Sequence, residues 1–508
     1  MQNNPALKIK NPTNNRKDMA MNTFLTSRCR KAVIFLFWLV LWQTAALLIH
    51  NSILMAGPWE VGMALVRLIP EKSFWLSVAA SSIKISAGFF LAFFGGILFG
   101  WLAFSFPVFG EILAPAVSLM KSVPVASFVI LALIWMGSGR LSALIAFIVV
   151  FPAIYVNTIA GLNSTEKELL EMAQVFGIKG WRKGRCLYWP ALLPYLASSC
   201  KTALGMSWKS GIAAEVIGVP EGTIGEQLYF SKIYLDTAGL FAWTLVIILA
   251  STAFEHLFLM LLRRAGSRKP FFPAKSGRLP SPSAHPCPLF TLSVINLSKR
   301  FGPLEIFRQQ SFSFSSDKPC CIMAPSGFGK TTLFRIFLGL EQADEGEIFL
   351  SPKPQTFAPG VFPGKASGVF GDRASGVFPD RASAVFQENR LCEGLSPIDN
   401  LLLAVPGLTR KEAQHELSFL LPGECLSRPV STLSGGMKRR VSIVRAVCFQ
   451  TPILIMDEPF TGLDEETRQE TIDYILSHRN GRMLIFSSHQ EEDAQKLGAE
   501  ILKITKAL

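Results

Sequence analysis

Residues 324–332, with the sequence APSGFGKTT, constrain the fold of this 508-residue chain more than any other stretch. They follow a short apolar run, 320–323, and precede residues 333–339, which are apolar at helical spacing. A strand, a glycine-containing loop, a Lys-Thr pair and a helix in this order are typical of a phosphate-binding loop. We therefore predict an α/β domain with a nucleotide site in the C-terminal half of the chain.

The residue types in this loop suit a bound phosphate. Small residues let successive backbone N–H groups converge on the phosphate, and the helix N-terminus adds positive potential. Lys330 can reach the outer phosphate oxygens, and the hydroxyl of Thr331 can ligate Mg²⁺. Ala324 stands where glycine is usual, and alanine fits there if its φ is negative. The residues predicted to contact the nucleotide here are Ala324, Pro325, Ser326, Gly327, Phe328, Gly329, Lys330, Thr331 and Thr332.

A second apolar run, 453–456, ends in two acidic residues. Four apolar residues in succession suit a central strand of a parallel sheet. Asp457 at its end can hold Mg²⁺ through water, and Glu458 can act as the general base that polarises an attacking water. The pattern predicts a nucleotide site that uses Mg²⁺, with Thr331 and Asp457 near the metal.

Apolar runs of membrane length fill the first half of the chain. Hydrophobic residues make up 50% and charged residues 17% of the sequence, and the mean hydropathy is +0.35. The runs lie at 32–50, 85–106, 112–136, 141–162, 191–212 and 238–262. Each is near the ~20 residues that a helix needs to cross a membrane. We predict an all-α polytopic membrane domain of about six transmembrane helices over residues 32–262.

Basic residues mark the cytoplasmic side of these helices. The tail 1–31 contains Arg28 and Arg30 near its end, and the last run is followed by Arg263 and Arg264. The N-terminus and the nucleotide-binding half are therefore both expected in the cytoplasm. Basic loops of this kind account for the net charge of +13, so nucleic acid is not an expected partner.

Four ionisable residues lie within or near the predicted spans, where a charge is costly and suggests a function. Lys121 and Lys209 could face an anionic solute, or they could have no role in the pore. Lys84 and Glu215 lie near span ends, where snorkelling toward the membrane surface is the simpler interpretation. The nine cysteines show no metal-ligand spacing and are expected to be core thiols in a reducing compartment.

Two further segments lack a regular apolar pattern. Residues 263–288 are rich in proline, serine and basic residues, and we interpret them as an exposed linker. Residues 358–389 contain four copies of an octapeptide, the last of which includes Gln387. An inert insertion in a glycine-rich loop explains the repeat at small entropic cost. A regulatory or protein-binding role is the alternative.

The loop 163–190 carries Glu171, Gly177 and Pro190 at the spacing of the EAA loop of binding-protein-dependent import permeases, which it resembles. Its departures from that pattern are Met172, Leu187 and Trp189. We expect a short helix over 168–175, which the chain leaves through a turn at Gly177. The resemblance implies that this helix docks in a groove of an ATPase and transmits its motion.

The C-terminal half, residues 289–508, carries motifs in the order found in ATP-binding cassette (ABC) transporters, which it resembles. Residues 384–389 look like the Q-loop, and 433–437 are close to the LSGGQ signature, with Met437 in place of glutamine. The resemblance implies further site residues: Phe301 stacking on adenine, Gln387 on Mg²⁺ or the attacking water, Ser434, Gly435 and Gly436 on a phosphate, Asp464 in the D-loop, and the switch histidine His489 on the γ-phosphate.

Residues 75–262 resemble the import permeases of this superfamily, and are most similar to the nitrate/sulfonate/taurine-type importers. The chain is thus similar to a type I importer whose permease is fused to its ATP-binding cassette. This resemblance implies ATP and Mg²⁺ as cofactors and a separate extracytoplasmic solute-binding protein. It also implies a homodimer, because the phosphate loop and the signature of one cassette cannot face the same nucleotide.

The function expected from this resemblance is ATP-driven uptake of a small anionic or vitamin-precursor-like solute across a bacterial inner membrane. Membrane lipid and the solute are then further partners of the protein. One alternative is an ABC exporter half-transporter, which the short cytoplasmic loops disfavour because exporters extend long helices into the cytoplasm. A membrane-anchored regulatory ATPase without transport is the other.

Overall fold

The computed structural model describes residues 12–49, 51, 53–267, 290–325, 327–352 and 382–504. The chain divides into two compact units, Met1–Asn163 with Pro194–Ala265, and Ser164–Leu193 with Gly266–Leu508. Residues 164–190 of the loop that resembles the EAA loop therefore belong to the C-terminal unit. Most of the predicted linker, most of the octapeptide repeat, and Ser326 lie outside the described residues.

Helices account for the regular structure described before residue 268. They are α1 (Pro12–Ile49), α2 (Pro58–Leu68), α3 (Lys72–Ser105), α4 (Pro107–Ser122), α5 (Val125–Met136), α6 (Leu141–Asn163), α7 (Lys167–Val175), α8 (Gly180–Lys183), α9 (Trp189–Gly218), α10 (Ile224–Ile233) and α11 (Thr237–Ser267). The prediction of an all-α domain is confirmed. The helices α2 and α10 were not predicted, because both are too short to span a membrane.

Within the described residues, four helices are long and apolar enough to cross a membrane, and a bent pair would make a fifth. The four segments are Ala32–Ile49, Lys72–Ser105, Ser138–Asn163 and Thr237–Gly266. The predicted span 191–212 lies in α9, which is 30 residues long but carries Lys201, Lys209 and Glu215 and is not among these segments.

The bent pair replaces the single span predicted over 112–136. Helices α4 and α5 meet at an angle of 109° across a short break. Pro124 causes the break, because proline lacks an N–H group and disfavours the helical conformation of the residue before it. Val123 is accordingly extended, with φ −71° and ψ 127°.

Glycines on α3 allow α6 to pack closely against it. A Cβ atom added to Gly96 would lie 2.8 Å from the Cβ atom of Ile154, and one added to Gly100 would lie 2.8 Å from the Cβ atom of Thr158. Small residues at this spacing let two helix backbones approach, which is how helices associate inside a membrane. The glycine pattern thus fixes a tight α3–α6 pair in the first unit.

Glu215 does not snorkel to a surface, so that interpretation of the sequence is wrong for this residue. Its side chain is fully buried, and its carboxylate accepts hydrogen bonds from Ser81 Oγ at 2.6 Å and from the N–H group of Gly225 at 3.3 Å. Ser81 Oγ also accepts a hydrogen bond from the N–H group of Ile224 at 2.9 Å. The carboxylate therefore ties α9 to α3 and to the start of α10.

The C-terminal unit contains two sheets in its described residues. The strands are β1 (Phe290–Phe301), β2 (Leu304–Ser315), β3 (Cys320–Met323), β4 (Glu345–Pro352), β5 (Ala382–Val385), β6 (Ile453–Met456), β7 (Met483–Ser487) and β8 (Glu500–Lys503). The antiparallel sheet has the order β2-β1-β4, and the parallel sheet has the order β5-β6-β7-β3-β8. The helices after β3 are α12 (Lys330–Phe337), α13 (Pro397–Ala404), α14 (Arg410–Ser418), α15 (Gly435–Cys448), α16 (Glu465–Ser477) and α17 (Glu491–Lys496).

The parallel sheet brings the predicted motifs to one edge. The phosphate loop follows β3, the two acids follow β6, and Gln387 follows β5. β7, which precedes His489, lies between β3 and β6. Because the carboxyl ends of parallel strands meet at the same edge, this order predicts one shared site. The predicted central position of β6 is confirmed, since it pairs with β5 and β7.

Replacing Gly96 by alanine tests the packing of α3 on α6. The new Cβ atom would lie 2.8 Å from Ile154 Cβ and 3.1 Å from the backbone nitrogen of Tyr155, so the helices would have to move apart. We expect a loss of about 1–3 kcal/mol in stability, measured as a lower Tm of the chain in detergent. Gly95→Ala is the matched control, because its Cβ atom would meet only the rings of Phe151, at 3.7 Å, and Phe147, at 4.0 Å. Equal Tm values for the two variants would contradict the close packing.

Candidate nucleotide site

The phosphate loop turns through two glycines with left-handed backbone. Gly327 has φ +83° and Gly329 has φ +97°. At Gly329 a Cβ atom would also lie 2.2 Å from Ile306 Cγ2 on β2. Both the conformation and the close approach therefore exclude larger residues at position 329. Gly329 precedes α12 directly, so the loop ends at a helix N-terminus, as predicted.

Lys330 is held inside this loop. Its side chain is largely buried, and Nζ donates a hydrogen bond to the carbonyl oxygen of Ala324 at 2.7 Å. The N–H group of Phe328 donates to the carbonyl oxygen of Pro325 at 3.2 Å, which closes the turn between them. The ammonium group therefore lies within the loop, at the start of α12, where it could meet phosphate oxygens.

Asp457 links the phosphate loop to the neighbouring strands. Its Oδ2 atom accepts a hydrogen bond from Thr331 Oγ1 at 2.7 Å, and its Oδ1 atom accepts one from Ser487 Oγ at 2.7 Å. Burial raises the pKa of the Asp457 carboxyl, while the hydrogen bonds from Ser487 and Thr331 act in the opposite direction. The oxygen donors of Thr331 and Asp457 thus lie together, and hydroxyl and carboxylate oxygens are ligands that suit Mg²⁺.

Glu458 has an unusual backbone conformation, with φ +47°. Its N–H group donates a hydrogen bond to Ser487 Oγ at 2.9 Å, so one serine contacts both acids. Its carboxylate oxygen Oε1 lies 2.9 Å from Nε2 of His489. The structure therefore brings the predicted general base and the predicted switch histidine into direct contact.

Gln387 lies at the same edge of the sheet. Together with Thr331 and Asp457 it lines a small cavity beside Phe386 and Arg390. The three residues predicted to contact the metal are thus brought together. This arrangement could hold a divalent cation and an attacking water next to the phosphate loop.

The remaining predicted nucleotide contacts lie outside this cluster. Phe301 ends β1 in the antiparallel sheet, and Lys299 Nζ lies 4.9 Å from the centre of its ring. Ser434 caps α15 by accepting a hydrogen bond from the N–H group of Met437 at 3.3 Å, and Asp464 caps α16 by accepting one from Thr467 at 2.9 Å. Among the described residues, no recorded hydrogen bond or cavity joins the 434–436 segment to the phosphate loop.

Helix α7, from the loop 163–190, is packed in the same unit as this site. The Glu171 carboxylate accepts two hydrogen bonds from Arg335 of α12 and one from Arg390, each at 2.7 Å. The helix ends as predicted at a glycine turn: Gly177 has φ +61°, and the N–H group of Ile178 donates to the carbonyl oxygen of Ala173 at 2.8 Å. Such a bond is typical of a Schellman motif.

One serine and three arginines make contacts around the site that were not predicted from the sequence. Ser487 holds both acids, Arg335 and Arg390 bind Glu171, and Arg439 donates to backbone carbonyl groups around the site. The helical period does indicate Arg335, because it lies one helical turn after Thr331. Nothing in the local sequence distinguishes the other three from surface residues.

Seven cysteines have side chains that the structure describes, and all seven are buried free thiols. Cys320 and Cys321 lie in β3, and burial raises the pKa of each to about 12. Such thiols are unreactive, which agrees with the interpretation as core residues.

Two family matches cover separate parts of the chain. Residues 307–461 match the ABC transporter family, and residues 92–267 match the family of inner membrane components of binding-protein-dependent transport systems. The sulfate/thiosulfate import ATP-binding protein CysA of Acinetobacter baylyi is 29% identical over 228 residues, covering 42% of this chain and 60% of that protein. Its counterpart in Nephroselmis olivacea is 28% identical over 220 residues, covering 42% and 59%. The chain thus spans about 60% of the length of these relatives.

One solved structure that the chain resembles is the dimeric post-hydrolysis state of the ATP-binding cassette MJ0796, bound to ADP and Pi. The two sequences are 22% identical, the match covers 42% of this chain and 94% of the cassette chain, and the TM-score is 0.34.

Residues 307–461 therefore carry an ABC transporter ATPase domain. The chain is thus a fusion in which a binding-protein-dependent permease domain precedes the ATPase domain in one polypeptide. It is therefore a multi-pass membrane protein with a cytoplasmic ATPase domain, and the predicted resemblance to import-type transporters is confirmed.

The pH dependence of the Glu171 contact tests the docking of α7. Burial alone would raise the pKa of the Glu171 carboxyl, but hydrogen bonds and charges from Arg335 and Arg390 lower it below its ordinary value of 4.5. Because the pKa of Glu171 is lower in the folded state, the contact contributes its full stabilisation at pH values above the ordinary pKa of the carboxyl. The contribution is lost as the pH falls through the lowered pKa.

We expect Glu171→Gln to lower the Tm of the chain by about 2–4 °C at pH 7, and the difference from the unsubstituted protein to shrink below pH ~4.5. Glu168→Gln is the control, because Glu168 lies exposed on the same helix. A difference in Tm that does not change with pH, or one that is equally large for Glu168→Gln, would contradict the ion-pair interpretation.

Proposed function

We propose that this chain takes up a small solute across a bacterial inner membrane and uses ATP hydrolysis to drive the uptake. The observation that carries the proposal is the contact of Glu171 with Arg335 and Arg390. Arg335 lies on the helix that follows the phosphate loop, and Arg390 lies three residues after Gln387. A loop between two membrane helices is thus joined to both sides of the nucleotide site.

The hydrolytic step follows from the cluster at the sheet edge. Thr331, Gln387 and Asp457 would hold Mg²⁺, which when bound neutralises charge on the phosphates. Glu458 accepts a proton from water while the water oxygen attacks the γ-phosphorus atom. The bond between that phosphorus and the bridging oxygen breaks, leaving ADP and phosphate. Lys330 and His489 orient the γ-phosphate during this step.

A second copy of the chain would complete each nucleotide site. Helix α15 is capped by Ser434 and begins with Gly435 and Gly436, and N–H groups at this end could bind a phosphate of the partner's nucleotide. Phe301 would stack on adenine, with Asp464 at the contact between the two ATPase domains. A homodimer of this kind has two equivalent sites, and closing it around ATP would move both 163–190 loops.

The solute we propose is a small anion, delivered by a separate extracytoplasmic binding protein. Two relatives of the ATPase are named for import of sulfate and thiosulfate, which are anions. Lys121 on α4 and Lys209 on α9 are both exposed in the chain and could meet such a solute. A vitamin-precursor-like solute is the second possibility, and it would place less weight on these two lysines.

Glu458→Gln tests the hydrolytic part of the proposal. Its amide cannot accept the proton from water, so we expect hydrolysis to fall by roughly 10²–10⁴-fold while ATP binding persists. The measurement is phosphate release and nucleotide retention by the chain in nanodiscs, with Glu470→Gln on the exposed face of α16 as the control. A rate of ATP hydrolysis within a few-fold of that of the unsubstituted protein would contradict the role of Glu458 as the general base.

The same variant tests the direction of transport. Held with ATP and Mg²⁺, it should retain an extracytoplasmic binding protein from its own cell, together with an anion that mass spectrometry can identify. A variant that traps ATP but repeatedly retains no such protein would favour an exporter or a regulatory ATPase.

A further inference from the structure

One buried arginine contacts three peptide groups that border the nucleotide site. Arg439 lies on α15 and is 3% exposed. Its Nη1 atom donates a hydrogen bond to the carbonyl oxygen of Phe386. Its Nη2 atom donates to the carbonyl oxygens of Asp457 at 3.1 Å and Glu458 at 2.6 Å.

Each of these carbonyl groups belongs to a residue of the site or to its neighbour. The peptide group that begins at Phe386 leads directly into Gln387. The other two carbonyl groups are those of Asp457 and Glu458 themselves. One guanidinium group therefore fixes the distance between the segment that carries Gln387 and the turn that carries both acids.

The conformation of Glu458 needs such support. A φ of +47° is uncommon for any residue other than glycine and is kept only where neighbouring groups impose it. The N–H group of Glu458 is bound by Ser487 Oγ, and its carbonyl oxygen is bound by Arg439. The backbone of Glu458 is thus held on both sides, and its carboxylate is directed at His489.

Arginine suits this task because of its shape. Its planar guanidinium group offers N–H donors at fixed angles, so one side chain can bind several carbonyl groups at once. A lysine would keep the positive charge but place one flexible ammonium group there, which cannot fix the same three acceptors. The geometry therefore depends on the guanidinium group and not only on its charge.

We infer that Arg439 is a positioning residue for ATP hydrolysis: it holds Glu458 and the Gln387 segment where both can act on the same attacking water. The inference rests on the proposed function, since it assigns hydrolysis to this site. Arg439 touches neither nucleotide nor metal in this role. Its loss should therefore slow the chemical step and leave the binding of ATP nearly unchanged.

The test compares Arg439→Gln with Arg482→Gln in the chain in nanodiscs. Arg482 is also buried and also donates to three backbone carbonyl groups, those of Val447, His478 and Arg479. It precedes β7, at the end of that strand opposite Ser487. Both substitutions therefore remove a similar set of hydrogen bonds, but only one set borders the site.

We expect R439Q to lower kcat on the order of 10- to 100-fold while KM for ATP stays within about threefold. R482Q should lower the Tm but keep kcat within about threefold of the unsubstituted protein. Arg439→Lys should resemble R439Q in kcat, and it carries the same test if R439Q does not fold. A kcat for R439Q or R439K like that of R482Q would overturn the inference.

The unsubstituted protein and E458Q separate this inference from the proposed function. If the unsubstituted chain hydrolyses ATP, E458Q does not, and R439Q retains full kcat, then the function stands and the role of Arg439 is wrong. If the unsubstituted chain does not hydrolyse ATP, or if E458Q is as active as the unsubstituted chain, the proposed function fails first, and the inference fails with it.

Discussion

The parallel register of β3, β7 and β6 is the constraint on which the nucleotide site depends. Since β7 lies between the other two strands, Ser487 at its end can bind the Asp457 carboxylate and the N–H group of Glu458. Thr331 reaches the same carboxylate from the helix that follows β3. A shift of one residue along β7 would turn Ser487 to the opposite face of the sheet and remove both contacts.

Charged side chains connect this site to the membrane domain's loop. Glu171 is bound by Arg335, which follows the phosphate loop, and by Arg390, which follows Gln387. The bidentate pair with Arg335 has a fixed geometry, so a change in the distance between the two arginines would change the position of α7. Arg445 of α15 donates to the carbonyl oxygen of Arg390 at 2.7 Å, so the same segment is held on its other side as well.

The sequence predicts the parts of this structure that depend on local pattern. The strands β3 and β6, the start of α12 and the turn at Gly177 each follow from neighbouring residue types. The contacts made by Ser487, Arg390 and Arg439 join residues far apart in the chain, and no local pattern distinguishes such side chains from exposed ones. The break before α5 and the burial of Glu215 were missed for a related reason. Length and hydropathy describe a span, but a single proline or a buried hydrogen-bond partner decides its shape.

The central claim is that the loop around Glu171 and the nucleotide site act as one unit. It is tested most directly by ATP hydrolysis of the chain in nanodiscs, with and without the extracytoplasmic protein fraction of its own cell. The fraction should stimulate the unsubstituted protein but not E171R. The double substitution E171R/R335E should restore part of the stimulation, because positions 171 and 335 again carry opposite charges while Arg390 still repels the new arginine. Stimulation of E171R equal to that of the unsubstituted protein would contradict the account.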